Sequence, residues 1–411
     1  MEASITLKIQ SLVYGGQGLG RLDDGRAAFV PFVMPDEVVL ARIRDEKRGH
    51  VMTTLASVIN AHEQRISPGC SHFGLCGGCQ YQHIPYSLQL EFKKAINIEQ
   101  LQRIAGIENP VVEKIVPSKN EWGYRNALQF SLSPEGKLCY ADFYHNQPFA
   151  VKECHLAMPE ISALWPQMEF EPGTQLERVE IRQNTEGDLM VVLRGDAVNL
   201  PEMETEATTS VVHLSGSDQV VMVGTDHLMM QVQGRDYKVS AGSFFQTNFS
   251  AAETILTEVQ QIVRQFKCRS IMDVFCGVGL FSAALAEEAE QIIGVESSSA
   301  ACEDFTFNLD QFENVSLYQG KAEQILPLIE AEPDCVILDP PRSGLKMEAS
   351  MGVIEKSPNI IIYISCNPST LARDMKYLIL GGYKVASSTL VDMFPQTFHI
   401  ESVTLFIKEN V

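Results

Sequence analysis

The chain contains 411 residues, of which 45% are apolar and 20% charged, and this composition excludes a wholly disordered chain and a small disulfide-rich scaffold. Its formal net charge of −20 argues against a protein that coats nucleic acid through bulk charge, although a local basic groove remains compatible with it. Neither a secretory signal nor an apolar run of ~18 residues is evident, so we expect a cytoplasmic protein with reduced cysteines and no membrane partner.

Residues 1–58 predict a small β-barrel. Ile5, Leu7 and Ile9 alternate with polar residues, which is typical of a half-buried strand. Asp23-Asp24-Gly25 is a hairpin-turn sequence, and further apolar runs follow it. Several short strands joined by glycine-rich turns favour an OB-like barrel, which could be a purely structural module or a ligand-binding one.

Residues 59–240 predict a central α+β domain. It opens with a compact segment, 60–83, that is rich in cysteine and glycine and fits neither a helix nor a regular strand. Residues 87–105 show apolar side chains at helical spacing and predict an amphipathic helix. Residues 122–240 then indicate many short antiparallel strands with few helices.

Residues 241–411 predict a doubly wound α/β domain, because apolar strands alternate there with helical patterns. In such a sheet, ligands bind outside the carboxyl ends of the parallel strands. We therefore expect the chemistry-bearing residues where each strand ends. The predicted strands are 270–275, 291–295, 315–318, 335–338 and 360–365.

A glycine-containing turn, Asp273-Val274-Phe275-Cys276-Gly277-Val278-Gly279, ends the first of these strands, and Glu296 ends the second. Glycines there let the backbone approach a ligand, and a carboxylate at the next strand can accept hydrogen bonds from both ribose hydroxyls of a nucleoside. Because Ser282 stands where a dinucleotide fingerprint has its third glycine, the pattern favours S-adenosylmethionine over a dinucleotide. A tight turn beside a surface glutamate is the alternative.

Three further motifs follow later elements. Asp339-Pro340-Pro341-Arg342 ends the fourth strand, and its arginine, in place of an aromatic residue, does not favour amine methylation. Cys366 ends the fifth strand and is placed like a nucleophile, although a lone cysteine in an apolar run is more often part of the core. Glu401, with His399 nearby, is a candidate general base, and a surface carboxylate is the alternative.

A set of cysteines predicts a metal centre in the central domain. Its members are Cys70, Cys76, Cys79 and Cys154. The first three lie within ten residues, with glycines between them, and the fourth lies far downstream. Structural zinc usually has two matched pairs of ligands, so an uneven set of three plus one favours an iron–sulfur cluster. The alternatives are free thiols and a zinc site that also uses His72 or His83.

Together these segments resemble the RNA uracil-5-methyltransferases, a family that uses S-adenosylmethionine. The resemblance runs over nearly the whole chain and includes the signatures 243–248, 365–374 and 393–401. It implies that the barrel is a TRAM domain, that the four cysteines hold a [4Fe-4S] cluster, and that the helix within 84–112 packs on the catalytic domain. The cofactor contacts that it implies are Gln246, Phe275, Gly277, Glu296 and Asp339.

The chain departs from the family pattern at a few positions. Leu280 stands where several relatives have a polar residue that contacts the cofactor, so no contact is assigned to it. Gln396 and Phe398 replace residues that are often histidine or glycine in relatives, while Glu401 is retained.

A covalent mechanism follows from the chemistry of the implied substrate. Uracil C5 is a poor nucleophile, and attack of a Cys366 thiolate on C6 would activate it toward the methyl group. Glu401 would then remove the C5 proton so that Cys366 can leave by β-elimination. The base has to leave its stack to reach the pocket, and Phe244 is a candidate stacking surface.

We expect a monomeric enzyme that acts on 23S rRNA, because the combination of barrel, four cysteines and catalytic domain resembles the rRNA branch of the family. The alternative substrate is the T-loop uridine of tRNA. A non-catalytic RNA-binding iron–sulfur protein is a third interpretation, and the intact Cys366, Glu401 and Gln246 argue against it. We expect a structural rather than a redox-active cluster, since the proposed chemistry needs no electron transfer.

Overall fold

The computed structural model describes residues 4–196, 208–216 and 218–409. The first six strands are β1 Ser4–Lys8, β2 Ser11–Val13, β3 Gln17–Arg21, β4 Ala27–Pro31, β5 Val38–Glu46 and β6 His50–Asn60. They form one sheet in the order β1-β5-β6-β4-β3-β2. Because β2 follows β1 almost directly yet lies at the opposite edge, the sheet wraps around a core that includes Leu7, Ile9, Val30 and Val39.

The cysteine-rich segment that follows consists mainly of turns and bends, as predicted, and leads into helix α1, Tyr86–Gln100. A π-helical turn, Leu101–Ala105, continues this helix, so the predicted helix over 87–105 is confirmed. The apolar residues that were expected to form the buried face of this helix are only partly buried, because Ala95 is exposed. The buried residues of α1 are Gln89, Lys93, Ile96, Asn97 and Gln100.

The middle part of the chain forms a second sheet. Its strands are β8 Ala127–Leu132, β9 Leu138–Ala141, β10 Pro148–Ala150, β11 Leu176–Gln183, β12 Leu189–Gly195, β13 Thr209–Ser215 and β14 Asp218–Val223. Helix α2, Pro159–Leu164, and a 3₁₀ turn, Trp165–Gln167, lie between β10 and β11. The preceding strand, β7 Lys114–Val116, belongs to the last sheet of the chain. The order of the second sheet is β10-β9-β8-β11-β12-β13-β14, and every pairing is antiparallel except that of β12 with β13. A separate hairpin follows, β15 His227–Val232 and β16 Arg235–Ser240.

The last part of the chain is a mixed α/β sheet with helices on both faces. Its elements are α3 Phe249–Phe266, β17 Ser270–Val274, α4 Leu280–Leu285, β18 Gln291–Glu296, α5 Ser299–Leu309, β19 Val315–Gln319, α6 Ala322–Ile325, a 3₁₀ turn Leu326–Leu328, β20 Cys335–Leu338, α7 Lys346–Lys356, β21 Ile360–Ser365, α8 Pro368–Leu380, β22 Tyr383–Val391 and β23 Glu401–Lys408. The sheet order is β19-β18-β17-β20-β21-β23-β22-β7.

The five strands predicted for this domain are present, with ends within one residue of the prediction. Strands β17 to β21 run parallel, whereas β23 pairs antiparallel with both β21 and β22, a pair of strands that the sequence analysis did not predict. Alternate residues of each central strand face two different cores, one containing Ile337 and the helices α3 to α5, the other containing Leu338 and the helices α7 and α8.

Helix α1 packs into the second of these cores, through Ile96, although it precedes the central sheet in the chain. This contact supports the packing of the segment on the catalytic domain that the resemblance implies. The domain boundaries at residues 58 and 240 stay predictions. Within the described residues, no helix has the length and apolar character needed to cross a membrane.

Candidate active site

The residues singled out at the strand ends share one cavity of about 1480 Å³. Because β17, β18, β20 and β21 are parallel, the residues that follow them meet at one edge of the sheet. The cavity also reaches the cysteine-rich segment, so one continuous space joins the candidate cofactor, nucleophile and metal residues. Those in its wall are Cys70, Cys76, Cys79, Cys154, Gln246, Phe275, Gly277, Glu296, Asp339, Cys366 and Glu401.

The turn after β17 has the shape of a ligand cradle. Phe275 has a φ of 65° and Gly277 a φ of 54°, which is the left-handed region that a chain enters at tight turns. A Cβ added to Gly277 would meet no atom within 4 Å, so open space lies against the backbone there. The Gly277 N–H donates to Glu296 Oε2 at 3.0 Å, which brings the carboxylate at the end of β18 to this turn.

Ser282, which replaces the third glycine of a dinucleotide fingerprint, has a structural role in α4. Its Oγ and its backbone N–H both donate to Asp273 Oδ2, at 2.6 and 3.2 Å. Burial raises the pKa of Asp273 to about 6, and these two hydrogen bonds oppose the rise. The serine therefore stabilises a buried carboxyl group beneath the turn and leaves the cradle to Phe275 and Gly277.

Asp339 and Gln246 lie together on the wall of the cavity. Gln246 Nε2 donates to Asp339 Oδ2 at 3.2 Å, and Asn126 Nδ2 donates to the Gln246 carbonyl at 2.9 Å. Burial raises the pKa of Asp339 to about 7, and the negative charge of Asp273 adds to the rise. A half-buried carboxyl group that titrates near neutrality is typical of a functional site.

Cys366 is positioned by its immediate neighbours. It follows the fully buried strand β21, and Asn367 caps the next helix by accepting hydrogen bonds from the backbone N–H groups of Ser369 and Thr370. Asn367 Nδ2 also donates to the carbonyl of Arg342 at 3.3 Å, which ties the cysteine turn to the turn after β20. The thiol is half-buried and faces the cavity.

The Cys366 thiol is protonated at neutral pH in the free protein. Burial raises its pKa to about 12, the charges of Glu401 and Asp339 add to the rise, and the Arg342 guanidinium opposes it. The sequence analysis expected a thiolate. The structure shows that a thiolate needs either a base or an added positive charge in the site.

The pairing of two strands of the sheet places Glu401 beside Cys366. Strand β23 pairs antiparallel with β21 so that Ser402 lies opposite Ser365, which makes Glu401 and Cys366 the next residues at this end of the pair. The Glu401 side chain is buried, and burial together with the charge of Asp339 raises its pKa well above the usual value, against the effect of Arg342. Burial and Arg342 lower the pKa of His399 to about 3, so this histidine is neutral.

A buried polar network holds the loop that precedes Glu401. Lys93 Nζ donates to Asp392 Oδ1 at 2.6 Å and to the carbonyl of Phe394 at 2.9 Å, and both members of this ion pair are inaccessible to solvent. Gln89 and Gln396 exchange two hydrogen bonds of 2.9 Å. The polar face of α1 is therefore buried because it satisfies the polar groups of this loop.

The four cysteines converge around one end of the cavity. Each of Cys70, Cys76 and Cys79 is affected by the charge of Cys154, and burial raises the pKa of all three thiols. Among the described residues, the group whose ligand atoms lie within 4.8 Å of one another is Cys70, Glu153 and His155. The four thiols are therefore not gathered to the ~3.8 Å spacing that tetrahedral Zn–S bonds of ~2.3 Å would require.

The histidines considered as zinc ligands are engaged elsewhere. His72 Nε2 accepts a hydrogen bond from the backbone N–H of Lys152 at 2.9 Å. His83 is buried, its Nε2 lies 3.2 Å from the carbonyl oxygen of Val33, and burial lowers its pKa to about 3. These contacts occupy Nε2 of both rings, and zinc stays the alternative to a cluster.

Comparisons with known proteins agree with this architecture. A model of the family tRNA (uracil-5-)-methyltransferase matches residues 194–409. An uncharacterized RNA methyltransferase of Aquifex aeolicus is 34% identical over 98% of each chain, and one of Streptomyces avermitilis is 30% identical over 98% of each chain. The chain belongs to the RNA uracil-5-methyltransferase family.

A solved structure shares the fold of this RNA methyltransferase over nearly its whole length. The tRNA (uracil-54, C5)-methyltransferase of Pyrococcus abyssi, solved with S-adenosyl-L-homocysteine, superposes with a TM-score of 0.75 at 24% identity, covering 98% of this chain and 100% of that one. The cradle at Gly277 and Glu296 lies within the part of the chain that the family model matches.

Sequence reasoning missed several residues of this RNA methyltransferase that the fold brings to the site. Gln89 and Lys93 belong to a helix whose polar residues were expected to face solvent. Arg125 lines the cavity, and its guanidinium lies 5.9 Å from the centre of the Phe394 ring. No local pattern marks these positions, because their partners lie more than 250 residues away in the chain.

Proposed function

We propose that the protein methylates C5 of a uridine in 23S rRNA through a covalent intermediate on Cys366, with Glu401 as the general base. The observation that carries the proposal is the adjacency of these two residues at the ends of the paired strands β21 and β23, in the wall of the cavity that also contains Gly277, Glu296 and Asp339. A thiol and a carboxyl group on the same side of a cofactor cradle are the two groups that this reaction requires.

The chemistry proceeds in three steps at the uracil ring. The Cys366 thiol gives its proton to solvent, and its sulfur bonds to C6 and makes an enolate. C5 of this enolate then takes the methyl group, and the electron pair of the broken S–CH3 bond would stay on the sulfur of the cofactor. The C5 proton then passes to the Glu401 carboxylate, the C6–S bond breaks, and Cys366 leaves as a thiolate. S-adenosylmethionine, when bound, supplies an electrophilic methyl group and a sulfonium charge that favours the ionised forms of nearby acids.

The charged groups of the pocket support this assignment. The pKa values of Cys366, Asp339 and Glu401 are all raised, chiefly by burial and also by negative charges within the site. Arg342 opposes the rise for Cys366 and Glu401. In the free protein, burial therefore favours the protonated forms of these groups, and a positive charge that enters the pocket favours the thiolate and the carboxylate.

We propose that Gln246, Phe275, Gly277, Glu296 and Asp339 hold the cofactor. Glu296 would accept the ribose hydroxyls, and the open backbone at Gly277 would face the nucleoside. On the RNA side, Phe244 lines the cavity with 71% of its surface exposed, which supports its assignment as a stacking surface for a base taken out of its helix.

The choice of 23S rRNA rests on the N-terminal part of the chain. A wrapped barrel, proposed to be a TRAM module, and a four-cysteine segment precede the catalytic sheet, a combination that resembles the rRNA branch. The second candidate is a tRNA uridine, because the Pyrococcus abyssi enzyme with the same fold acts on uracil 54 of tRNA. We also propose that the protein acts as a monomer.

The substrate is tested by incubating the protein with rRNA and with tRNA from a strain that lacks its gene, and by mapping new methyl groups by mass spectrometry. We expect 5-methyluridine in 23S rRNA. Methylation of tRNA alone would replace the first candidate with the second. A lack of methylation on either RNA would contradict the proposed activity.

We further propose that Cys70, Cys76, Cys79 and Cys154 hold a [4Fe-4S] cluster with a structural role. Four thiols that converge without single-ion spacing support a cluster of several irons. Anaerobically purified protein should contain about four irons and four sulfides per chain, and Cys154→Ser should lose the iron. One zinc per chain would contradict the cluster.

A further inference from the structure

One face of the central sheet forms part of the cavity wall. On strand β11, Val179 and Ile181 belong to a buried hydrophobic core, so the residues that alternate with them lie on the opposite face of the sheet. The polar residues of this opposite face that line the cavity containing Cys366 are Gln129, Glu180, Arg182 and Arg194. The candidate reaction site and this polar face therefore share one open space.

Two arginines lie directly opposite each other on this face. Arg178 of β11 and Arg194 of β12 are partners in the antiparallel register, which places their Cβ atoms ~4.5–5.5 Å apart. Like charges in this arrangement destabilise a sheet. Arg194 is partly compensated, because its Nη2 donates to Glu180 Oε2 at 3.5 Å. Glu180 also accepts a hydrogen bond of 2.7 Å from Arg182 Nε, so Arg182 and Arg194 share a single carboxylate.

Arg178 itself is exposed and uncompensated. Among the residues that the structure describes, its guanidinium forms no hydrogen bond, ion pair or ring contact. The residues opposite it on its two neighbouring strands are Arg194 and Ser131, and neither supplies a negative charge. In a chain whose formal net charge is −20, this arginine pair is a local excess of positive charge, which favours an anionic partner.

The same face is fixed to the segment that carries Phe244. Arg182 Nη1 donates to the carbonyl of Ser240 at 3.0 Å. The Nη2 atoms of Arg182 and Arg194 each donate to the carbonyl of Ala241 at 3.2 Å. Ala241 precedes Phe244, the candidate stacking surface for the target base, by three residues. An RNA strand whose base stacks on Phe244 therefore carries its phosphates past this face.

We propose that this face of β8, β11 and β12 binds the phosphates of the RNA strand next to the target uridine, with Arg178 and Arg194 as the contacting residues. A guanidinium binds a phosphate through parallel N–H donors, and such contacts fix the position of a strand without reading its sequence. A phosphate between the two arginines also offsets the repulsion between them. The inference rests on the proposed function, since RNA is the partner, and it gives the central sheet a part in RNA binding that is separate from the barrel.

The test measures the Kd for unmodified 23S rRNA at several salt concentrations, without S-adenosylmethionine. Arg178→Gln removes a positive charge and no intramolecular contact, so it should weaken the Kd about fivefold at ~0.1 M salt and make the slope of log K against log salt shallower by ~0.7. The matched control, Arg269→Gln, removes an exposed positive charge just before β17, at the opposite edge of the catalytic sheet from the cavity, and should leave the slope unchanged.

Arg178→Glu separates RNA binding from a structural role. It places a carboxylate opposite Arg194, so the thermal unfolding temperature should stay level or rise, while the Kd weakens by more than in Arg178→Gln. A fall of the unfolding temperature together with the Kd would mean that lost stability, rather than a lost phosphate contact, weakens binding.

A second result would also overturn the inference. A salt slope for Arg178→Gln equal to that of Arg269→Gln would show that no RNA phosphate contacts this face, and would leave the arginine pair to a partner other than RNA. The Kd is measured without methyl transfer, so the proposed function is judged separately. A wild-type protein that binds this RNA and does not methylate it contradicts that function and leaves the phosphate contact standing.

Discussion

The nucleophile and the general base reach the same cavity by two different routes. Cys366 is held by its own neighbours, the buried strand β21 before it and the Asn367 cap after it. Glu401 follows a loop whose polar groups are satisfied by Gln89 and Lys93, about 300 residues earlier in the chain. The position of the nucleophile is therefore encoded locally, whereas the position of the base depends on the N-terminal segments that pack on the loop.

The largest effect is expected at the nucleophile. Cys366→Ala removes the sulfur that bonds to C6, so methyl transfer to RNA should fall at least ~10³-fold, while S-adenosylmethionine binding persists because the cofactor cradle lies at other strand ends. Labelled methyl transfer and calorimetric binding of the cofactor measure the two effects. Cys139→Ala, at a cysteine outside the cavity wall, is the control. Turnover by Cys366→Ala near the wild-type rate would disprove the role of this residue.

The variant Glu401→Gln tests the role of the general base independently of the role of the nucleophile. The amide keeps the shape of the side chain but accepts no proton, so the reaction should stall after methyl transfer with the RNA still attached to Cys366. Denaturing gels should show a protein–RNA adduct that accumulates with natural RNA. Normal release of methylated RNA would mean that another group takes the proton.

Lys93→Met probes the remote support of the base. It leaves the Asp392 carboxylate buried without its partner, so the free energy of unfolding should fall by ~3–5 kcal/mol. Lys94→Met, one residue along the same helix, is the matched control and should change little. Denaturant unfolding measures both, and similar losses for the two variants would show that the buried pair does not matter to stability.

The smallest effect concerns Asp339, whose pKa is raised from 3.8 to about 7 in the folded protein. The folded state binds this proton more tightly than the unfolded state, so wild-type stability falls as the pH rises from ~4 to ~7. Asp339→Asn lacks this loss and should gain stability over the wild type with rising pH, by ~1–2 kcal/mol, because solvent screens part of the charge of this half-buried group. Thermal unfolding from pH 4 to 8 checks the trend, with the exposed Asp310→Asn as control. A constant difference would contradict it.

The contrast between a locally encoded nucleophile and a remotely supported base also explains which residues of the site the sequence could predict. Strands β18, β20 and β21 are short apolar runs that each lead into a chemically distinctive residue, so Glu296, Asp339 and Cys366 could be placed at one sheet edge before the fold was known. Strands β22 and β23 were missed, because nothing local shows that β23 lies antiparallel between β21 and β22.

The buried face of α1 shows most clearly what local sequence patterns cannot predict. Helical spacing predicted that the helix exists, but Lys93 and Gln89 are polar and would ordinarily face solvent. Their burial depends on Asp392 and Gln396, whose partners no local pattern identifies. The ring contact between Tyr14 and Phe398 could not be predicted for the same reason, since it joins residues near opposite ends of the chain.

The covalent route through Cys366 is tested most directly with 5-fluorouridine RNA, in which the fluorine at C5 cannot leave as a proton. The wild-type protein, incubated with this RNA and S-adenosylmethionine, is digested, and the peptides are mapped by mass spectrometry. The account predicts that the peptide containing Cys366 carries a methylated 5-fluorouridine nucleotide. Attachment at another residue, or methylation of natural RNA by a protein that forms no such adduct, would contradict it.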